Sequence, residues 1–390
     1  MQNWEKGELG KFVTLKRGFD LPQQKRDSGE VPIFSSSGIT GMHSKTMVKA
    51  PGVITGRYGT IGQVFFSSKD FWPLNTTLFV EDFHGNDEKF VYYFLKTLNW
   101  KNFASASAVP GINRNTVHKE LVCFPGIKSQ KKIAGILSLL DDKIETNQNI
   151  NDNLQQQARA LFYEWFISTS HNGETYDTEL GALPTNFTVM KTGKLPIIVT
   201  DYVANGSFAS LKENVHLYQE RNYAYFIRNT DLKAGTFEVF VDEPSYNFLT
   251  KSRLFGGEII ISNVGDVGSV FLCPILDAPM TLGNNIIMIK PLQNELRYYL
   301  YIWFKWSMGQ GLIQGIKGGS AQPKFNKTDF KSLPIILPPK DLLKMFHSTV
   351  CPLFDNIARN QAENRKLAAL RDALLPQLMS GEIDVSAVQL

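Results

Sequence analysis

The chain has 390 residues, 43% of them hydrophobic and 20% charged, with a formal net charge of +4. That length exceeds one typical domain, and the composition gives ample core, which excludes a disordered chain. The start, Met1-Gln-Asn-Trp-Glu-Lys6, carries no apolar signal region, and no apolar run approaches the ~18 residues of a membrane span, so a soluble, cytoplasmic protein is expected.

From Gly7 to Pro125 short β-branched and aromatic runs alternate with turns, which predicts an α+β segment. Pro51-Gly-Val-Ile-Thr-Gly56 and Ile61-Gly-Gln-Val-Phe-Phe66 flank Arg57-Tyr58-Gly59-Thr60, a hairpin with a glycine-dependent turn. Thr77-Leu-Phe-Val80 predicts a further strand. Phe90, Val91, Phe94, Leu95 and Leu98 recur at helical spacing behind an acidic first turn, so Asp87 to Leu98 is expected to be a helix.

A longer pattern runs from Ile127 to about Trp165. Steps of four and three place Ile133, Leu137, Leu140, Ile144, Asn147, Asn151, Leu154, Ala158, Leu161 and Trp165 on one stripe, a coiled-coil seam with two polar steps in its middle. Adding 213 to each position gives Phe346, Val350, Leu353, Ile357, Asn360, Asn364, Leu367, Arg371, Leu374 and Leu378, the same seam with its asparagine pair at the same two steps. The register holds without a gap back to Ser107-Ala-Val-Pro110-Gly-Ile-Asn113 against Ser320-Ala-Gln-Pro323-Lys-Phe-Asn326. One such stripe alone reads as an ordinary amphipathic helix; two copies, each closing a globular segment, read as an internal duplication. The asparagine pairs Asn147 with Asn151 and Asn360 with Asn364, set in otherwise apolar seams, are expected to form a polar layer that fixes helix register.

After a polar linker at Ser168-Thr-Ser-His-Asn-Gly173, the segment from Leu183 to Pro338 repeats the order of the first with weaker identity. Gly257-Glu-Ile-Ile-Ile-Ser262, the turn Gly265-Asp-Val-Gly268 and Ser269-Val-Phe-Leu272 answer the first hairpin, and Ile286-Ile-Met-Ile289 answers Leu78-Phe-Val80. The helix with Tyr298-Tyr299 answers the one with Tyr92-Tyr93. Ile33-Phe-Ser-Ser-Ser-Gly38-Ile39 lies at the place of Ile227-Arg-Asn-Thr-Asp231-Leu232, with apolar flanks kept and the polar centre changed. That is either a reading surface exchanged on a retained scaffold or drift of an idle loop. The expected organisation is a domain over 1–126, a helix over 127–168, a second domain over 169–338, and a helix with tail over 339–390.

Motifs that carry chemistry are missing. There is no GxxxxGK[ST] loop, no GxGxxG, and no Asn/Asp-Pro-Pro-aromatic tetrad of an adenine methyltransferase, because Pro338-Pro339 lies between Leu337 and Lys340. The six histidines lack HExxH or HxxxH spacing, and Cys123, Cys273 and Cys351 read as buried free thiols, so no metal site is expected. What remains is polar loop chemistry suited to DNA: Arg, Asn, Gln and Ser/Thr match base edges, while Lys and backbone N–H groups hold phosphates. The candidates in the first domain are Arg17, Lys25, Arg26, Ser35, Ser36, Ser37, Arg57, Tyr58, Thr60, Asn113 and Arg114. In the second they are Arg228, Asn229, Arg253, Asn263, Asp266, Lys317, Gln322, Lys324, Asn326 and Lys327. Any one of them alone is more often plain solvated surface; their clustering at equivalent turns of both copies is the signal. A mild positive charge permits a nucleic-acid partner without requiring one, and suggests that other chains share the phosphate contacts.

The chain resembles the specificity (S) subunit of type I restriction-modification systems over essentially its whole length. Gly56-Arg-Tyr-Gly-Thr-Ile-Gly62 running into Trp72-Pro-Leu-Asn75, Ser-x-x-Pro-x-x-Asn before each long helix, Leu139-Leu-Asp-Asp-Lys-Ile144 with Asn147, and Leu375-Pro-Gln-Leu-Met-Ser-Gly-Glu382 carry the resemblance. It implies an α+β fold with two tandem target recognition domains separated by two long helices packed as an antiparallel coiled coil. It also implies a bipartite double-stranded DNA target, two methyltransferase subunits using S-adenosylmethionine, and two restriction subunits using ATP and Mg. The subunit itself would be non-catalytic and bind no cofactor. The second copy departs from the pattern, with Asp266 in place of Thr60 and no Arg at the position of Arg57, which puts equivalent contacts by the two turns in doubt. The DNA-reading subunit of a two-component type II system and a stand-alone endonuclease are the alternatives.

Overall fold

A computed structural model describes residues 4–104, 110–168, 174–319 and 322–388. Ser107 and Ser320 of the two signatures before the helices, and the linker from Thr169 to Gly173, lie outside them. The chain divides into two compact units, Met1–Glu145 with Lys366–Leu390, and Thr146–Arg365.

The first unit contains β1 (Trp4–Glu8), α1 (Leu9–Phe12), β2 (Thr14–Arg17), β3 (Val31–Ser35), β4 (Gly38–His43), β5 (Gly52–Gly56), β6 (Val64–Ser67), β7 (Trp72–Pro73), β8 (Thr77–Asp82), α2 (Glu88–Thr97), α3 (Arg114–Val117) and β9 (Leu121–Pro125), and the start of α4 (Ile127–Phe162). A four-stranded sheet has the order β2-β8-β5-β6, a three-stranded one the order β4-β3-β7, and β1 pairs with β9. β5 and β6 are antiparallel with Thr55 opposite Val64, as the hairpin pattern predicts. All of β5 is buried, and a Cβ at Gly52 would meet the Phe71 ring at 2.1 Å, so only glycine lets that ring cover the strand. α2 starts where Asp87 accepts from Phe90 N at 2.9 Å, then buries Phe90, Val91, Tyr93, Phe94 and Leu95. Cys123 corrects one expectation: it is exposed, because β9 alternates inward and outward and Val122 and Phe124 take the inner face.

The second unit runs through β10 (Thr175–Thr178), β11 (Gly181–Pro184), β12 (Thr188–Lys191), β13 (Ile197–Asp201), α5 (Phe208–Asn214), β14 (Leu217–Tyr218), β15 (Ala224–Ile227), α6 (Asn229–Ala234), β16 (Phe240–Val241), α7 (Glu243–Phe248) and β17 (Arg253–Leu254). β18 (Ile259–Ser262), β19 (Val270–Leu272), β20 (Met280–Leu282), β21 (Ile286–Pro291), α8 (Glu295–Lys305), α9 (Ser307–Gly315), α10 (Lys327–Ser332), β22 (Pro334–Leu337) and the first part of α11 (Lys340–Ser380), as far as Arg365, complete it. The sheet β13-β21-β18-β19 answers β2-β8-β5-β6, and β12 with β22 answers β1 with β9. β15 lies parallel to β20 as β3 lies parallel to β7, so the scaffold strands repeat. The two copies diverge immediately after these strands. After β3 the chain turns at Ser36-Ser37 into β4, with Gly38 at φ 104; after β15 it enters α6, because Asp231 accepts the Arg228 N–H at 2.9 Å and caps a helix there.

All twenty stripe positions are buried or half-buried. In the second unit Asn147 Nδ2 donates to Asn364 Oδ1 at 2.8 Å and Asn360 Nδ2 donates to Asn151 Oδ1 at 2.9 Å, so α4 and α11 run antiparallel there. Asn147 also donates to Glu363 at 2.8 Å. Phe162 and Phe166 join Phe346, Val350 and Tyr299 in that unit's core. In the first unit Ile133 and Leu137 of α4 share a core with Leu378 and Met379 of α11, and with Val385 of the tail. Among the described residues no helix is long and apolar enough to cross a membrane.

Candidate nucleic-acid interface

In the first unit the turn after β5 is built to stay in one shape. Gly59 and Gly62 take left-handed φ of 75° and 84°. The N–H groups of Arg57 and Tyr58 donate to Thr76 O at 2.8 and 3.2 Å, and Ile112 N donates to Arg57 O at 3.0 Å. Gly111 must be glycine, since a Cβ would stand 2.1 Å from the Tyr58 ring. Arg57 is thereby aimed: its Nε donates to Ile112 O at 3.3 Å and its guanidinium lies 4.4 Å from the centre of the Tyr58 ring. Asn113 caps α3 by accepting from Asn115 N at 3.0 Å, which sets Arg114 at the start of that helix.

The result is an open cleft of about 340 Å³ lined by Lys16, Arg17, Arg57, Leu78, Ile112, Asn113 and Arg114. Lys16 bonds to Glu81, and Arg17 stands 3.9 Å from Asp20. Among the described residues no carboxylate pairs with Arg57 or Arg114. Four cations around one concavity form an anion-seeking surface, and the planar Arg57, clamped on one edge, presents its other edge for bidentate hydrogen bonding. Beneath the cleft, His118 Nε2 accepts from Leu15 N at 2.9 Å; burial, then the charge of Arg114, hold its imidazole below the usual value.

The second unit rebuilds this turn with different side chains. Gly265 and Gly268 take φ of 75° and 99°, Phe325 N donates to Asn263 O at 3.0 Å, and Gly265 N donates to Pro323 O at 2.9 Å. Asn263 Nδ2 donates to Phe325 O at 3.2 Å, as Arg57 does to Ile112 O. Asp266 accepts from Ser269 Oγ at 2.6 Å and pairs with Lys233 at 2.6 Å; the Lys233 bond, then that of Ser269, keep its carboxyl below the usual range. The turn is therefore closer to neutral, and Lys317, Gln322 and Lys324 are exposed on the segment strapped to it.

The family described as the type I restriction modification DNA specificity domain matches residues 1–156 and 191–344. The chain belongs to that family. It is 29% identical over 310 residues to the type I restriction enzyme MjaIX specificity subunit of Methanocaldococcus jannaschii, covering 76% of this chain and 69% of that protein. It is 25% identical over 338 residues to the HindI specificity subunit of Haemophilus influenzae, covering 70% of this chain and 71% of that one. In fold it is similar to the crystal structure of the type I restriction-modification S subunit from M. genitalium, with TM-score 0.59 and 18% identity over 97% of this chain and 96% of that one.

In this specificity chain the residues proposed from sequence fall into distinct settings. Arg17, Arg57, Asn113 and Arg114 meet in the cleft. Tyr58 is the platform under Arg57, and Thr60 is exposed on the same turn. A Cβ placed at Gly59 would lie 3.3 Å from Ser36 Oγ, so Ser36 borders that turn, while Ser35 and Ser37 bond each other at 3.0 Å. Arg26 lines a neighbouring cleft with Asp20, Gln23 and Asn75, and Lys25 ends the short helical turn at its rim. Asn229 Nδ2 reaches Asp266 at 3.5 Å. Arg228 is committed on one edge to Asp231, at 2.6 Å. Arg253 lies over the Tyr246 ring and bonds Asn247 at 3.2 Å, Lys327 pairs with Asp201 at 2.8 Å, and Asn326 caps α10. Sequence reasoning does not single out Lys16 or Lys233. Lys16 neighbours Arg17 on β2, a signal that could have found it, whereas Lys233 meets Asp266 only once α6 has formed.

Proposed function

We propose that this chain is the DNA-reading, non-catalytic subunit of a type I restriction-modification complex, each unit reading one half of a bipartite double-stranded target. The observation that carries the reading is the repeated turn and strap, the same backbone carrying Arg57 over Tyr58 in one copy and Asn263 beside Asp266 in the other. A fixed frame with exchanged polar side chains is what two different half-sites require. The names of its relatives as specificity subunits support a partnership with two methyltransferase subunits using S-adenosylmethionine and two ATP- and Mg-dependent restriction subunits. No step of either chemistry is assigned to this chain. The modest net charge of +4 fits phosphate contacts shared with those partners.

The test is to map methylated adenines in a host expressing the chain with its methyltransferase. Two short specified parts at a fixed separation are expected. Exchanging residues 1–125 for those of a related chain should change one part and leave the other. A change in both parts, or a continuous site, would overturn the reading.

A further inference from the structure

The asparagine layer aligns the helices but does not choose the partner. Shifted by the 213-residue repeat, an α4 paired with the α4 of a second copy would set Asn147 against Asn151, and two copies of α11 would set Asn360 against Asn364. The amide pairs survive in every combination. Besides the Asn147–Glu363 bond, where the repeat counterpart of Glu363 is Ile150, a charged pair breaks this equivalence. In the first unit Asp141 of α4 accepts from Arg371 of α11 at 2.6 Å and from the Tyr93 hydroxyl at 2.7 Å, with Asp141 27% and Arg371 20% exposed. The repeat relates Asp141 to Phe354 and Arg371 to Ala158, and those two lie in the core of the second unit, where Tyr299 bonds Ile336 O instead. One end of the helix pair is joined by ions and the other by apolar side chains.

We infer that the Asp141–Arg371 pair is the determinant that makes each long helix take the other as its partner and refuse a second copy of itself. Two α4 helices would bring each Asp141 against Ala158, leaving a carboxylate half-buried without its cation. Two α11 helices would bring each Arg371, bonded then only to Asp372 of its own helix, against Phe354. Each homotypic pair carries its own mismatch twice, whereas the heterotypic pair has none. The partner this surface fits is therefore the complementary half of the same sequence.

The test refolds an equal mixture of isotope-labelled and unlabelled full chain, cross-links it, and counts mixed-isotope α4–α4 and α11–α11 links against α4–α11 links by mass spectrometry. Wild type should give homotypic links near background, and so should the reversed pair, Asp141→Arg with Arg371→Asp. Asp141→Phe with Arg371→Ala, which makes both ends apolar, should raise homotypic links about tenfold. The neutral pair Asp141→Asn with Arg371→Gln keeps size and hydrogen bonding, and should raise them as well even where the apolar pair does not fold. Homotypic links as frequent in wild type as in the apolar pair, or no rise in the neutral pair, would overturn the inference.

Discussion

Arg57 and Arg114 line the same cleft but are held in unlike ways, and the difference predicts their roles. Arg57 is clamped by Ile112 O and the Tyr58 ring, which suits reading a base edge; Arg114 is exposed at a helix start, which suits a phosphate. Arg57→Ala should relax discrimination at one half-site by ~1–3 kcal/mol, measured by competition binding of the methyltransferase complex. Arg114→Ala should instead weaken all sequences alike and lower the salt slope by about 1. Uniform loss for Arg57→Ala would move it to the phosphate class. His118 gives a pH prediction. Its depressed value means the folded chain favours neutral imidazole, so this contribution to stability is complete above pH ~6.5 and is lost as pH falls through the folded value. Thermal unfolding followed from pH 7.5 to 5 should fall less steeply in His118→Gln than in wild type. His347 in the other unit is also held down, by burial and then Arg297, so the difference between the two proteins is the readout and not the total slope.

At the scale of elements, Gly111 and the asparagine layer are the sharpest points. Gly111→Ala puts a methyl group 2.1 Å from the Tyr58 ring, so the strap and turn must separate, and methylation directed by the first unit should fail with a stability loss of ~1–3 kcal/mol. Replacing Asn147, Asn151, Asn360 and Asn364 with Leu should raise the melting temperature and loosen alignment, read as a blurred spacer in the methylation map. Falling stability with a sharp spacer would give the layer another role. Periodicity made much of this legible. The stripe of α4 and α11, the β5–β6 hairpin and the acid-capped α2 each announce themselves by local spacing. The replacement of the β3–β4 turn by α6 was not legible, although Asp231 three residues after Arg228 is the capping spacing, because apolar flanks fit either outcome. The ion pairs of Lys327 with Asp201 and Lys233 with Asp266 join residues remote in sequence, and no local pattern encodes them.

For the whole molecule, helix length carries the next prediction. α4 holds 36 residues and α11 holds 41, at about 1.5 Å per residue. Inserting one heptad into α4 between Leu154 and Leu161 and one into α11 between Val350 and Ile357, stretches that the asparagine bonds place opposite each other, keeps the seam in phase and adds roughly 10 Å. At about 3.4 Å per base pair the preferred spacer should lengthen by about three, with both half-sites unchanged and some affinity lost to rotational mismatch. A methylation map with the old spacer would show that the helices do not set it.

The first unit is closed by residues from the far side of α11. Val385 is fully buried in its core, Lys132 donates to Ser386 O at 2.6 Å, and a Cβ at Gly381 would lie 2.9 Å from Trp4. Residues 146–365, by contrast, form their unit from one continuous stretch. During synthesis residues 1–145 must therefore wait for residues 366–388 to complete their unit, while residues 146–365 have all their parts earlier. Loss of residues 366–388 should accordingly undo the first unit and spare the second, so a chain stopped before Lys366 should expose residues 1–145 to protease and leave 146–365 resistant.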